Sequence, residues 1–331
     1  MLFQKYMETK TCWVLTLGIP GMDNQSLGVA EALGMKVVKK FIQPRAPWKH
    51  LPAQLWPAPL RLLGAQSDPL HPPWPDVVIG TGRLTTAVAA AIRKASGGKT
   101  FTVKIQDPKM AHDAFDLIVT PRHDRCVGAN VLHTHGGLHA ITPQRLADSK
   151  QKFAPLLAHL PRPLVAVMMG GTNKCYSVDA AVAHALADKF ITLSKNYGVG
   201  IIVTPSRRTG AEVETVMRQR LAEIPSLVWD GAGDNPYLGF LVLADYIVVT
   251  ADSVNMVSEA CFTGKPVYVA ELAGGSAKFR RFHKTMNEAG MTRPFTGELQ
   301  QWTYPPLNET EMVAAEIKRR MALMHKAFVA P

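Results

Sequence analysis

His159-Leu-Pro-Arg-Pro163-Leu-Val-Ala-Val-Met-Met-Gly170-Gly-Thr-Asn173 is the stretch on which the fold turns. Pro161 and Pro163 stiffen a connection, and the apolar run Leu164–Met168 reads as a strand covered on both faces. A Gly-Gly pair follows the strand, and a helical pattern then runs over Val178–Asn196. The same alternation extends in both directions. Strands are expected at Cys12–Leu17, Lys36–Phe41, Val77–Ile79, Thr100–Ile105, Leu117–Val119, Gly200–Val203, Leu227–Trp229, Tyr246–Val249 and Val267–Val269. Helices are expected at Asn24–Leu33, Thr85–Ala95, Pro143–Leu157, Ala211–Glu223, Ser253–Phe262 and Glu309–Lys326. Strand-then-helix repetition predicts the α/β class with parallel, doubly wound sheets. At 331 residues the chain exceeds one typical core, and the pattern restarts after Pro163. Two Rossmann-like domains are therefore expected, at 1–159 and 160–303. A last segment, 304–331, is set off by Tyr304-Pro-Pro306, and its helix opens with Asn308 and Glu311 at capping-box spacing. That helix is expected to cross back onto the first domain.

Hydrophobic residues make up 47% and charged residues 19%, a globular mix, with a formal net charge of +11. A basic surface favours anionic partners such as nucleotide phosphates or acidic lipid headgroups. No nucleic-acid recognition motif accompanies the charge, so no nucleic-acid partner is expected. The four cysteines, at 12, 126, 175 and 261, form no CxxC pair, which argues for reduced thiols rather than a disulfide framework. Met1–Lys10 has no apolar core of a signal peptide, and the most apolar stretch, Gly239–Thr250, is short and broken by Asp245. These features point to a cytoplasmic protein.

In open α/β sheets ligands sit outside the carboxyl ends of strands, which singles out four loops. Gly18-Ile-Pro-Gly21-Met-Asp23-Asn-Gln25 and Gly80-Thr-Gly82-Arg83 each lead into a helix. Thr85 suits an N-cap for the second of these helices. Gly170-Gly171 has the strand–Gly-Gly–helix context of a phosphate nest. Thr250-Ala-Asp252-Ser253 opens a helix on which Asn255 and Glu259 share one face at i, i+4 spacing. A carboxylate there accepts hydrogen bonds only, which suits the vicinal diol of a ribose. Ser206-Arg207 follows a strand and is a phosphate contact or a basic surface turn. Gln106-Asp107-Pro108 and Asn235-Pro236-Tyr237 have the ordinary explanation of a turn or helix cap. His133, His135 and His139, with His123 nearby, lack Cys or carboxylate partners at a recognised metal spacing, so no metal is expected. There is no Asp-x-Asp for a metal-held diphosphate and no Gly-x-Gly-x-x-Gly after the first strand for a nicotinamide cofactor. The lone Tyr-x-x-x-Lys, Tyr6 to Lys10, precedes the first strand, so no cofactor is expected. If the protein is an enzyme, its general base should come from the first domain, where Asp23, His123 and Asp124 lie at or after strand ends.

The ordered series Gly18…Gln25, Gly82-Arg83, Gln106-Asp-Pro108, His123-Asp124, Asn130-Val, Gly170-Gly171, Ser206-Arg207, Asn235-Pro-Tyr237 and Ala251-Asp-Ser-x-x-Met-x-Ser-Glu259-Ala resembles one family. It is the mitochondrial-fission "elongated mitochondria" family of plants and its bacterial relatives, some labelled nucleoside-diphosphate-sugar epimerases. The second half is also similar to the donor domain of lipid-linked N-acetylglucosaminyltransferases, of GT-B-like fold. There a Gly-Gly loop and a Ser…Glu-Ala…Gly-Lys-Pro segment surround a UDP-sugar. The resemblance implies that Gly170 and Gly171 face a pyrophosphate and that Glu259 holds a ribose; Ser206, Arg207, Asp252 and Ser253, in loops after strands, complete the expected binding set. Those transferases carry a His after the first-loop glycines, where this sequence has Met22, Asp23 and Asn24.

Two functions follow: a metal-independent inverting glycosyltransferase taking a nucleotide sugar to a membrane-proximal, lipid-linked acceptor, or a non-catalytic scaffold that recruits partners. Trp48 to Leu63 mixes aromatic and aliphatic residues with prolines and follows Lys36, Lys39, Lys40 and Arg45. Such a segment either dips Trp48 and Trp56 into an anionic membrane or packs its leucines into the first domain's core.

Overall fold

The computed structural model describes residues 8–329, with side chains to 324. Tyr6 and residues 1–7 of the segment read for a signal peptide lie outside the described residues. Contacts divide the chain into two units, one running to Ala140 and resuming at Asn308, the other Ile141–Leu307. The division falls at 140/141 rather than at the proline-rich turn near 160.

The first unit is built on six parallel strands: β1 (Thr11–Thr16), β2 (Lys36–Phe41), β3 (Val77–Thr81), β4 (Phe101–Ile105), β5 (Leu117–Pro121) and β6 (Val131–Thr134). Their order is β2-β1-β3-β4-β5-β6. Both faces of β3 and β4 are buried, as expected of central strands in a parallel sheet, although β4 carries Thr102 and Lys104 among its apolar residues. One face packs under α1 (Pro20–Ala32) and α9 (Glu309–Val329), with Cys12, Val14, Ile79 and Val103 against Val29, Val313 and Ile317. The other packs under α2 (Arg83–Ala95). The C-terminal helix thus returns to the first unit. Its first turn is tied down by Glu309, which accepts from the His135 amide at 2.8 Å, and by Thr310, which donates to the His139 carbonyl at 2.9 Å. At the edge strand β2, Lys36 and Lys39 are exposed, a charge arrangement that discourages pairing with another chain.

The second unit repeats the plan with β7 (Leu164–Met169), β8 (Gly200–Pro205), β9 (Ser226–Val228), β10 (Tyr246–Thr250), β11 (Val267–Ala270) and β12 (Thr292–Pro294), all parallel. The order is β12-β11-β10-β7-β8-β9. Helices α4 (Ala180–Tyr197) and α5 (Ala211–Leu221) cover one face. On the other lie α3 (Pro143–Leu157), α6 (Tyr237–Leu243), α7 (Val254–Cys261) and α8 (Ala277–Glu288). Helix α3 precedes the Pro-rich turn yet packs on α6, which is why it belongs to this unit. The stretch Gly239–Thr250 is the end of α6, a turn at Asp245 and strand β10. Among the described residues no helix is long and apolar enough to cross a membrane.

Candidate functional site

In a doubly wound sheet the strand order reverses at one point, and the loops there splay apart to leave a crevice. In the second unit the reversal lies between β7 and β10. The loops leaving these strands are Gly170–Asn173 and Ala251–Ser253, two of the segments singled out from sequence. They are joined through Asp252, whose side chain is fully buried. Its carboxylate accepts from the Gly171 amide at 3.0 Å, from Thr250 Oγ1 at 2.7 Å and from Arg208 Nη2 at 2.9 Å. Thr250 Oγ1 in turn accepts from the Gly170 amide at 2.8 Å. A buried charge persists only when paired and hydrogen-bonded, and these three donors meet that requirement. The glycines are needed for this closeness: a Cβ on Gly170 would lie 2.1 Å from Asp252 Oδ1, and one on Gly171 1.9 Å from the Arg208 carbonyl. The amides of both glycines, expected to face a pyrophosphate, are thus engaged inside the loop cluster.

Arg208, not the Arg207 read from sequence, joins this cluster. Its side chain is 44% exposed, so it carries charge from the buried Asp252 out to solvent. Arg207 is exposed, and Ser206 works inside its own turn, its amide donating to Thr209 Oγ1 at 2.8 Å. Ser253 caps α7 by accepting from the Met256 amide at 3.3 Å. The positive end of the helix dipole therefore points toward the same crevice.

Glu259 lies farther along α7, half-buried, where it accepts from the Tyr237 hydroxyl at 2.5 Å. Burial pushes its carboxyl up to about 7, against the stabilising bond from Tyr237. The Tyr237 phenol is held well above its ordinary value by burial and by Glu259. Sequence reasoning missed Tyr237, reading Asn235-Pro236 as a plain cap. Asn235 Oδ1 does accept from the Tyr237 amide at 2.9 Å, so the cap and the tyrosine's placement are one device. The Gly264-Lys265-Pro266 segment is not at the crevice. Lys265 precedes β11 and donates to the carbonyls of Leu241, Val242 and Ala244, closing the end of α6.

In the first unit the reversal lies between β1 and β3. Asp23 stands there, half-buried in the first turn of α1. Ser26 Oγ and Thr81 Oγ1, 2.6 Å apart, fasten α1 to the end of β3. Gly82, at φ 81°, is the residue that starts α2, and Thr85 bonds back to its carbonyl at 2.9 Å instead of capping. A left-handed backbone is cheap only for glycine. Arg83 does not reach a ligand position: it donates to the carbonyls of Lys49 and Leu51. His123 and Asp124 lie beyond β5, with His123 Nε2 3.7 Å from Asp124 Oδ1 and both side chains at most 10% exposed. Strands β1 and β5 are separated by two others, about 14 Å in all. The structure therefore does not gather the three candidate bases: Asp23 is at the crevice and the other two are not. One residue that no sequence pattern flagged is Lys104, wholly buried in β4. Its ammonium donates to the carbonyls of Ile105 at 2.7 Å and Gly80 at 3.4 Å, and burial lowers it to about 7.

The Trp48–Leu63 segment packs largely as core. Trp56 is 6% exposed beneath α2, so it does not reach outward as a membrane anchor, and Leu55, 57% exposed, is what points out. Trp48 is partly buried against the same cluster.

A family model described as Mitochondrial fission ELM1 matches residues 20–321. The Mitochondrial fission protein ELM1 of Arabidopsis thaliana is 35% identical over 275 residues, which are 75% of this chain and 64% of that protein. The chain thus spans less than two thirds of that relative's length. An uncharacterized protein of Rickettsia prowazekii (strain Madrid E) is 28% identical over 74% of this chain and 79% of its own. Among solved structures, one described as a UDP-N-acetylglucosamine 2-epimerase from Listeria monocytogenes matches with a TM-score of 0.54 at 12% identity, covering 95% of this chain and 91% of that one. The likeness lies in the fold: two parallel α/β units of GT-B-like architecture.

Proposed function

The chain belongs to the Mitochondrial fission ELM1 family, and we propose that it binds a nucleotide sugar of the uridine-diphosphate type at the β7/β10 crevice. The observation that carries this reading is the Asp252–Arg208 pair, a partly exposed guanidinium fixed by a buried carboxylate beside the start of α7. An arginine with preset geometry and a helix N-terminus together suit a pyrophosphate, with no metal needed to neutralise it. Gly170 and Gly171 serve by holding Asp252 in place. Glu259 and Tyr237 supply an acceptor and a donor for a ribose diol. The Listeria structure's description names a UDP-sugar, the same ligand class, though the shared fold alone does not select it.

As a reaction, the reading is a metal-independent inverting glycosyl transfer to a membrane-proximal acceptor. A base takes the proton of the acceptor hydroxyl, its oxygen attacks the anomeric carbon, and the nucleoside diphosphate leaves. Arg208 and the α7 dipole stabilise the charge that collects on the leaving diphosphate. Asp23 is the candidate base, because it stands at the crevice of its own sheet.

A second reading, a scaffold that retains the fold and works by recruitment, is favoured by the burial of His123 and Asp124. A thermal-shift screen of nucleoside diphosphates and their sugars tests binding, since ligand at 100 times its dissociation constant adds about 2.7 kcal/mol. Stabilisation by uridine diphosphates above the other bases is expected, and no shift with any nucleotide would end the proposal. Binding without turnover would select the scaffold.

A further inference from the structure

Of the motifs in the first unit, Gln106-Asp-Pro108 and Asn130-Val have no part in the account so far. Both turn out to adjoin one group of side chains. Asp107, His112 and Cys126 each offer one ligand atom, and these atoms all lie within 4.8 Å of one another. His112 Nε2 and Cys126 Sγ are 3.7 Å apart. With zinc–sulfur and zinc–nitrogen bonds of about 2.3 and 2.0 Å, the sulfur–nitrogen edge of a tetrahedral site is about 3.5 Å. The three residues come from the loops after β4 and β5, so their meeting is a product of the fold and not of local spacing.

We propose that Asp107, His112 and Cys126 bind a divalent transition-metal ion, zinc by the chemistry of the set. One thiolate, one imidazole and one carboxylate form a borderline-soft donor set that suits zinc over magnesium or calcium. Two anionic ligands balance the ion's charge. Three protein ligands leave a fourth position for water.

The surroundings hold these donors in place. Asn130 Nδ2 donates to the carbonyls of His112 at 2.7 Å and Phe115 at 2.8 Å, fixing the turn that carries the imidazole. A Cβ on Gly128 would come 2.9 Å from His112 Nδ1, so only glycine leaves room for the ring there. Among the described residues, the non-glycine positions with positive φ are Gln106, Lys109 and Arg125, all within two residues of Asp107 or Cys126 along the chain. Backbone strain of this kind collects where a loop is held for function. The Asp107 carboxylate accepts from the Lys109 amide at 2.9 Å and pairs with its exposed ammonium at 2.6 Å. The amide bond orients the carboxylate, whereas the ammonium competes with a metal for it. Binding replaces that ammonium and releases the Cys126 thiol proton to solvent.

The test uses the full chain without a histidine tag, stripped with chelator and titrated with cobalt(II) and zinc. One equivalent of cobalt should give a thiolate-to-metal charge-transfer band that zinc abolishes. Cys126→Ser should lose the band, and Asp107→Asn, which removes a charged ligand oxygen, should weaken zinc by more than the roughly 10- to 100-fold that loss of an outer-shell partner costs. Lys109→Gln should tighten zinc binding, a gain that no purely structural role for the loop predicts. Cys175→Ser should change nothing. Absence of the band in the folded protein would overturn the proposal. So would a band that survives Cys126→Ser, or zinc affinity unmoved by both Asp107→Asn and Lys109→Gln, readings that stand even if Cys126→Ser does not fold.

Discussion

Both sheets are parallel and doubly wound, with different strand orders, and each reverses that order beside a glycine loop, yet what they bury there is opposite. The second sheet buries a carboxylate, Asp252, and joins it to an arginine that reaches solvent. The first closes its reversal with the neutral Ser26–Thr81 pair and, in the adjacent strand β4, buries an amine, Lys104, satisfied only by carbonyls. A buried anion with a cation outside presents positive charge to a ligand. A buried amine bonded inward presents none. Architecture alone therefore does not make a phosphate site; the sign and pairing of the buried group decide.

The largest expected effect sets the two crevices against each other. Asp252→Ala leaves the Gly171 amide, the Thr250 hydroxyl and Arg208 without their acceptor. Breaking a buried pair from one side costs about 3–5 kcal/mol, and the low end applies because Arg208 can hydrate. Asp23→Ala, at the first crevice, should cost under about 1 kcal/mol. Urea unfolding of both variants checks the contrast, and equal losses would erase it.

Next in size is the ligand. Glu259→Gln should weaken uridine-diphosphate binding by about 1.5–3 kcal/mol, the value of hydrogen bonds to a charged group. Arg208→Ala should weaken it comparably, whereas Arg207→Ala should not. Retained affinity in Arg208→Ala would return the phosphate role to the glycine amides.

The buried amine gives a smaller, pH-dependent effect. Lys104 carries a folded-state value of about 7 against an ordinary 10.5, so between these limits the unfolded chain binds more protons. Stability from this group therefore rises with pH from about 7 to 10.5, and its penalty is complete below that window. Lys104→Met should be stabilising at neutral pH, by an amount that shrinks toward pH 10. A gap that stays constant across this window would mean that the folded amine keeps its ordinary value and stays charged.

The smallest effect concerns the membrane. Leu55→Ser should weaken partition onto anionic vesicles by at most about 1.5 kcal/mol, and Trp56→Ser should act through stability instead. Vesicle sedimentation of folded variants separates the two.

Most of the fold was legible because central strands, buried on both faces, leave apolar runs in sequence. What escaped lies where that signal fades. Strand β6 contains His133, and β12 is Thr-Arg-Pro; both are edges, half-covered and free to be polar. Helix α6 was hidden by its apolarity, since Leu238–Leu243 merges with β10 through Ala244. The crevice loops were also visible, through their glycines and the Asp252-Ser253 turn. Which arginine faces Asp252, or that Tyr237 meets Glu259, depends on contacts between residues 44 and 22 apart, which no local pattern encodes. His123 and Asp124 stood out by type and position after a strand, and only the sheet order separates them from Asp23.

The central claim, that the second crevice binds a nucleoside diphosphate through Glu259, is tested most directly by calorimetric titration of UDP-N-acetylglucosamine across pH. Glu259 is held at about 7, and its ionised form is the one that accepts from a diol. The dissociation constant of the natural chain should rise by up to about tenfold per pH unit below that value and level off near that of Glu259→Gln, which should bind more weakly at neutral pH with a flat profile. The same affinity in both proteins at every pH would contradict the account.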